Sequence, residues 1–488
     1  MDIDLSSCRT RLADRVLHRV GSHGLISAPT TSRVLETSLL LFLLTTEEVA
    51  PAEATLARCY LRDVLSGDPP EPLQQVFARA ALGEPIEPGA AEHALSSFRH
   101  FSGPRKLTMF TVLLDEVTGR KQRVVASAEA GDEGREQIWV QFQRRALQIV
   151  ADPSSATAAD FAFLTPALAP GPPWQANHLA QLVGLLALRK SPEHRPAVRR
   201  ALARLAARQL SGGGVPFVTG LDIFATALAG ISLLRTHPHD PRTTALADAL
   251  AETQQHDGGF GFTLGVTQTD VDDTSYALEF LRGFGTRYAS AVTGAEDYLL
   301  NLRNDDGGFP TFIHGAPSEA AMTAGAARAL APSPAHRSVV EDAISFLIDA
   351  GTSSERSWSR NTTNVVFRST AAFTSLTPEA PSGLRERAHE AMKRGMCHLT
   401  ATQQSDGGWG HTPEDPSDPI STAYAVIALS RTAAHASDLA RALRYLHRSR
   451  RPDGGYLSRP DQAGPRPLLY DAPALADVCV LMAFTAVL

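Results

Sequence analysis

Cysteine is scarce. There are 4 in 488 residues, Cys8, Cys59, Cys397 and Cys479, far apart and with no Cys-x-x-Cys pair. That spacing argues against a disulfide framework or a zinc site and fits a reducing compartment, so a cytoplasmic protein is predicted. Long apolar runs are also missing. The most apolar stretch, Leu39 to Leu44, is far short of the ~20 residues a spanning helix needs, and it reads as a buried helix face. The N-terminal residues are charged and lack the apolar core of a signal peptide. Neither sign of charge dominates: 46 Lys and Arg against 52 Asp and Glu leave a net charge of −6. That balance supplies no general attraction for nucleic acid or an anionic membrane. Alternating β-branched runs are few, while Ala, Leu and Arg abound, which predicts an all-α chain. Its 488 residues exceed one ordinary domain, so two are expected.

What the sequence does contain is a repeat. The units Gln254-Gln-His-Asp-Gly-Gly-Phe260, Arg303-Asn-Asp-Asp-Gly-Gly-Phe309, Gln403-Gln-Ser-Asp-Gly-Gly-Trp409 and Arg450-Arg-Pro-Asp-Gly-Gly-Tyr456 share one pattern. Gln209-Leu-Ser-Gly-Gly-Gly-Val215 is a decayed copy. The interval between the units that start at 303 and 403 is twice the others, and a degenerate unit ending near Trp358 fills it. Each polar turn precedes an Ala/Leu-rich helical stretch and then a second helix. Six such pairs predict a closed double layer of helices, an α/α toroid, over residues 201–488, because one pair cannot bury its own apolar face. Residues 1–200 lack clean copies and are expected to form a second helical domain, with the first helix free to pack on the toroid.

The chemistry concentrates in Asp270-Val-Asp272-Asp273-Thr274. Three carboxylates at a predicted helix start have an ordinary explanation, since Asp caps helices and complements their dipole. Crowded carboxylates also cannot all ionise cheaply, so one is driven to keep its proton. A neutral carboxylic acid in an apolar pocket is a strong proton donor. With an aromatic wall to receive a carbocation, that is what protonating an alkene requires.

Tandem QxxDGGW-type repeats followed by D-x-D-D-T resemble the class II terpene cyclases, among them squalene–hopene cyclases and the copalyl, halimadienyl and drimenyl diphosphate synthases. The resemblance implies a βγ didomain of two helical domains, with Asp272 as general acid and Asp270 and Asp273 tuning it. Gly259-Phe-Gly-Phe262 is similar to the stretch before that motif in hopene cyclases, which nominates Phe262 to face the cation; Trp358, in the degenerate unit, is a second candidate. Pro317-Ser-Glu319 and Met322-Thr-Ala324 match a family segment in which a histidine bonded to the acid comes next. Here the residue is Gly325, so His314, water or another group is expected to replace it. The repeat aromatics Phe260, Phe309, Trp409 and Tyr456 are expected to pack the outer layer. Arg368, Arg360 and Arg33 are candidates for binding a diphosphate, since a guanidinium holds one bidentately.

The family resemblance implies a prenyl diphosphate, farnesyl or geranylgeranyl, cyclised to a drimane- or labdane-type bicycle. It also implies Mg²⁺ carried by the diphosphate, with no protein metal site, no zinc and no nucleotide. The missing DDxxD and NSE-type motifs give no support to class I ionisation. Asp477-Val-Cys479 has no downstream histidine to complete a zinc site. Two alternatives stay open: a hopene-cyclase-like enzyme acting on an uncharged polyprene or prenylated aromatic, and a non-catalytic toroid that binds proteins.

Overall fold

The computed structural model describes residues 4–67, 70–96, 103–120, 136–351 and 358–488. Helix α1 (Leu5–Leu17) is followed by α2 (Val34–Thr46), α3 (Pro51–Ser66), α4 (Pro72–Leu82), α5 (Ala90–Leu95), α6 (Gly103–Thr118), α7 (Ile138–Ala151), α8 (Ala158–Leu164), α9 (His178–Leu188) and α10 (Arg195–Ala206). Then come α11 (Asp222–Thr236), α12 (Pro241–Ala251), α13 (Val271–Arg282), α14 (Ala289–Leu302), α15 (Ala320–Leu330) and α16 (Arg337–Ala350). The last are α17 (Thr362–Phe373), α18 (Ser382–Thr402), α19 (Pro419–Leu429), α20 (Ala436–Ser449) and α21 (Ala474–Val487). Strand among the described residues is confined to two short stretches, 462–463 and 469–470.

The chain divides into two compact units. Met1–Pro29, Gly220–Gln462 and Asp471–Leu488 form one, and Thr30–Thr219 with Ala463–Tyr470 form the other. A boundary at residue 200 falls inside the second unit. The decayed turn at 209–215 packs there, with Gln209 donating to the Glu53 carbonyl at 3.0 Å. In this unit α2 packs on α4, α4 on α6, α6 on α7, α7 on α9 and α9 on α2. The core they enclose includes Leu39, Leu43, Phe77, Phe110 and Leu186.

The other unit is the toroid. Its inner helices α11, α13, α15, α17, α19 and α21 each touch the next, and α21 closes on α11. They are buried on nearly every face. The outer helices are buried along one stripe only, as amphipathic helices over a core should be. Five of them, α12, α14, α16, α18 and α20, follow their inner partners in sequence, but the sixth outer helix is α1, which packs on α21. Arg15 of α1 and Arg19 just beyond its end both reach the fully buried Asp477 of α21, at 3.0 and 2.8 Å.

The repeat motif builds the turns between pairs. Its first glycine lies at φ +85° in Gly258 and +94° in Gly407, backbone that favours glycine. Its second glycine is packed too closely for a side chain. A Cβ on Gly308 would lie 2.5 Å from that of Ser318. The Asp before the glycines accepts the second glycine's N–H, at 2.9 Å for both Asp306 and Asp406. The leading Gln ties the turn to an outer helix: Gln403 donates to the carbonyls of Gly407 and Asp438. The repeat aromatics are packed inside, and Trp409 donates its ring N–H to the Leu399 carbonyl at 3.0 Å.

Candidate active site

A threonine near the start of three inner helices, α13, α15 and α19, locks the helix to its preceding turn. Thr274, Thr323 and Thr422 accept the backbone N–H of Phe260, Phe309 and Trp409 at 2.9, 2.8 and 3.0 Å. The threonine of D-x-D-D-T is therefore a structural element of the repeat. Asp270 is the N-cap of α13 in extended conformation, and its side chain accepts the Asp273 N–H at 2.8 Å. This is the capping role that the ordinary reading gave to the cluster. Asp272 and Asp273 follow in the first turn, and all three carboxylates are buried.

Burial raises the Asp270 carboxyl to about 6, against the pull of its bonds to Asp273. Asp273 is pushed well above the usual carboxylate range, first by burial and then by the charges of Asp270 and Asp272. The cluster thus holds protons near neutral pH. Asp272 alone of the three lines an internal cavity of the toroid, together with Phe224, Trp358, Asn364, Arg368 and Tyr424.

Asp272 is paired bidentately with Arg368 of α17. Nη1 donates to Oδ1 at 2.5 Å and Nη2 to Oδ2 at 3.2 Å, with both side chains buried. The guanidinium also stands over the Tyr276 ring, 5.2 Å from its centroid. A Cβ built on Gly325 of α15 would lie 4.0 Å from Nη1 of Arg368. Ser275 is nearer, its Cβ and Oγ both 3.5 Å away, so a longer side chain at 325 would meet both Ser275 and the guanidinium. His314 is exposed on its turn, and the partner of Asp272 is Arg368.

Several expected placements differ. Arg368, read as a diphosphate ligand, has its guanidinium on Asp272. Arg33 is buried in the other unit, bonded to both Glu36 oxygens and to the Gly464 carbonyl, and lies 4.3 Å over the Phe217 ring. A guanidinium so saturated has no fork left for a diphosphate. Arg360 is exposed on the strand-like approach to α17. Phe262 is half-buried and is not part of the cavity wall that Asp272 shares. Trp358 does line that wall, set edge-on to Phe312 at 5.6 Å. The reading from sequence missed Phe224 and Tyr424. Repeat register offered a signal for the second: Tyr424 follows Thr422 by two residues, as Tyr276 follows Thr274.

Among the described residues, no group of three or more His, Cys, Asp or Glu side chains is arranged to hold a metal ion. The acidic trio does not fit that role, because it is bonded internally and to Arg368. No helix is long and apolar enough to cross a membrane among the described residues.

The prenyltransferase alpha-alpha toroid domain family matches residues 177–439. The drimenyl diphosphate synthase of Streptantibioticus cattleyicolor is 53% identical over 499 residues, 97% of this chain and 93% of that protein. A drimenyl diphosphate synthase of Streptomyces showdoensis is 49% identical over 502 residues, 98% and 93% of the two chains. Among solved structures, ent-copalyl diphosphate synthase from Streptomyces platensis matches 99% of this chain and 100% of that one. Its TM-score is 0.64 at 16% identity, a likeness of fold. A toroid family over more than half of the chain, and relatives of this identity along nearly all of it, establish that the chain belongs to the class II terpene cyclases.

Proposed function

We propose that this cyclase converts farnesyl diphosphate into drimenyl diphosphate, with Asp272 as the general acid. As a class II cyclase it starts ring closure on a prenyl diphosphate by protonation and leaves the diphosphate in place. The relatives named above support the C15 bicycle, which is an isomer of its substrate. The observation that carries the assignment of the acid is that Asp272 alone of the three carboxylates lines the aromatic-walled cavity, beside Asp270 and Asp273, whose proton affinity is raised.

Asp272 is the member of the cluster through which a proton reaches the substrate alkene. Arg368 fixes the plane of the Asp272 carboxyl and offsets the negative charge left behind after transfer. This makes it a positioning residue rather than a diphosphate anchor. Phe224, Trp358 and Tyr424 supply the wall against which the cation forms, each ring face contributing about 0.5–2 kcal/mol. We assign Mg²⁺ to the substrate's diphosphate, where it neutralises charge. No step at the protein's own residues passes through it.

Incubation of the purified enzyme with C15 and C20 prenyl diphosphates, followed by dephosphorylation and mass spectrometry, tests this reading. A bicyclic C15 alcohol is expected. Turnover of the C20 substrate alone would move the assignment to a labdane product. No turnover of any diphosphate, with turnover of an uncharged polyprene, would overturn it.

A further inference from the structure

On the assumption that the function is as proposed, the reaction must also end. A bicyclic cation that yields an alkene has to give up a proton from carbon, and the group that receives it must face the same cavity without being a cation itself. The polar side chains of the cavity wall are few. Arg368 is cationic and Asp272 is the acid. Asn364 and Gln462 are amides, which are poor bases. Two hydroxyls remain, Ser359 and Tyr424.

Both hydroxyls donate to one buried carboxylate, Asp461, Ser359 to Oδ1 at 2.6 Å and Tyr424 to Oδ2 at 3.3 Å. The amide N–H groups of Asn361 and Gln462 also donate to it, one to each oxygen. An amide N–H can only donate, so this ring of partners is built for an ionised carboxylate. Among the described residues no arginine or lysine pairs with Asp461, in contrast to Asp272. Burial raises its affinity for a proton above that of an ordinary Asp. The helix cap beside it is a different residue, Asp418, which accepts the Ser421 N–H at 2.9 Å.

The two hydroxyls are not equivalent. The oxygen of Ser359 already accepts the backbone N–H of Asn361 at 3.1 Å, a bond that helps start α17. The oxygen of Tyr424 receives only a thiol contact from Cys479 at 3.7 Å. Its ring lies flat on Phe367, with centroids 5.6 Å apart and planes 6° apart, which holds the hydroxyl in place.

We propose that Tyr424 receives the proton that terminates cyclisation and passes its own hydroxyl proton to Asp461. The C–H electron pair becomes the new C=C bond as the proton moves to Tyr424 Oη. The phenol proton moves to Asp461 Oδ2, so tyrosine ends neutral and Asp461 ends protonated. Exchange with solvent then returns Asp461 to the carboxylate and restores the proton to Asp272. No oxidant or co-reactant is needed. Tyr424 is the group that touches the substrate; Asp461 acts through it as a positioning residue.

The test compares wild type with Tyr424→Phe, Asp461→Asn and Ser359→Ala on farnesyl diphosphate, measuring both substrate consumed and the identity of every dephosphorylated product. Tyr424→Phe keeps the ring on Phe367 and should still initiate, consuming substrate within about fivefold of wild type. The share of the wild-type alkene should fall at least about fivefold, replaced by water-captured alcohols and alkene isomers. Asp461→Asn should shift products in the same direction. Deuteration of the carbons flanking the final cation should enlarge the alcohol share in the variants, because slower deprotonation competes with capture by water. A wild-type product spectrum from folded Tyr424→Phe overturns the proposal, as does a folded Tyr424→Phe that consumes no substrate. So does a shift confined to Ser359→Ala. If Asp461→Asn does not fold, Tyr424→Phe still decides. Failure of the underlying reading shows separately, as a wild-type enzyme that makes no bicyclic diphosphate.

Discussion

Arg368 of α17 grips both oxygens of Asp272 on α13, and a Cβ on Gly325 of the intervening helix α15 would lie 4.0 Å from its guanidinium. A bidentate arginine orients a carboxylate more strictly than a single hydrogen bond does, and here both side chains are buried.

Asp272→Asn should abolish cyclisation, lowering turnover ~10²-fold or more, because an amide is no usable acid. The variant should also melt earlier, since it strands the buried Arg368 cation at a cost of about 3–5 kcal/mol. Product assays and thermal unfolding on one preparation check both. Near-wild-type turnover would remove Asp272 from the role of acid.

Arg368→Ala separates positioning from substrate anchoring. Loss of orientation at the acid appears in kcat, whereas loss of a contact to a remote diphosphate appears mainly in KM. A fall in kcat of roughly ten- to a hundredfold is expected, equal to ~1.5–3 kcal/mol for a charged hydrogen bond, with little change in KM. A rise in KM alone would return Arg368 to the diphosphate. In the double variant Arg368→Ala/Gly325→His, the new ring enters the vacated space. About a tenfold recovery of kcat over the single variant is expected, and no recovery would mean that the two positions do not share a role.

Trp358→Ala should lower the rate or divert products more than Phe262→Ala does, because Trp358 lines the cavity and Phe262 does not. Loss of one cation–π face corresponds to about 0.5–2 kcal/mol, up to roughly thirtyfold in rate. Product ratios from the two variants decide which ring faces the cation.

The rate should fall as pH rises. The acidic trio must hold a proton to act, and Asp270 titrates at about 6 with Asp273 higher still. An initial-rate profile is expected to decline on its alkaline limb, with an apparent midpoint above about 6 that belongs to the coupled cluster. Stability follows the same sign. The ordinary carboxyl value is 3.8, so above it the unfolded chain has released protons that folded Asp270 and Asp273 still hold, and stability declines as pH rises toward 6 and beyond. A rate that stays flat from pH 5 to pH 9, roughly, would contradict a carboxylic acid as donor.

Asp477→Asn should leave kcat nearly unchanged and lower stability by about 1.5–3 kcal/mol, the size of a charge-assisted hydrogen bond, because the partly exposed Arg15 and Arg19 lose a shared counter-charge while Arg15 keeps Asp453. The readout is the unfolding midpoint, with activity measured well below it. A fall in activity without a fall in stability would give the α1–α21 pair a catalytic role.

Local chemistry was readable from the sequence alone. The Asp-Gly-Gly turns, the five helix pairs that are consecutive in sequence and the caps depend on residues close along the chain, as when Asp270 caps the helix that carries Asp272 and Asp273. Backbone requirements of that kind leave a repeating mark, and Thr274, Thr323 and Thr422 recur in register because each solves the same joint. The closure of the toroid by α1 left no such mark, since the joining residues, Arg15, Arg19 and Asp477, stand at opposite ends of the chain. Only the tertiary structure decided what each charge meets. Arg368 meets Asp272 across 96 residues, and the hydroxyl of Tyr424 meets Asp461. Such meetings depend on which inner helices become neighbours and on which side chain is missing between them. Gly325 was legible as the place where the family's histidine is missing, but only the fold showed that the acid's partner comes instead from Arg368 on the next helix.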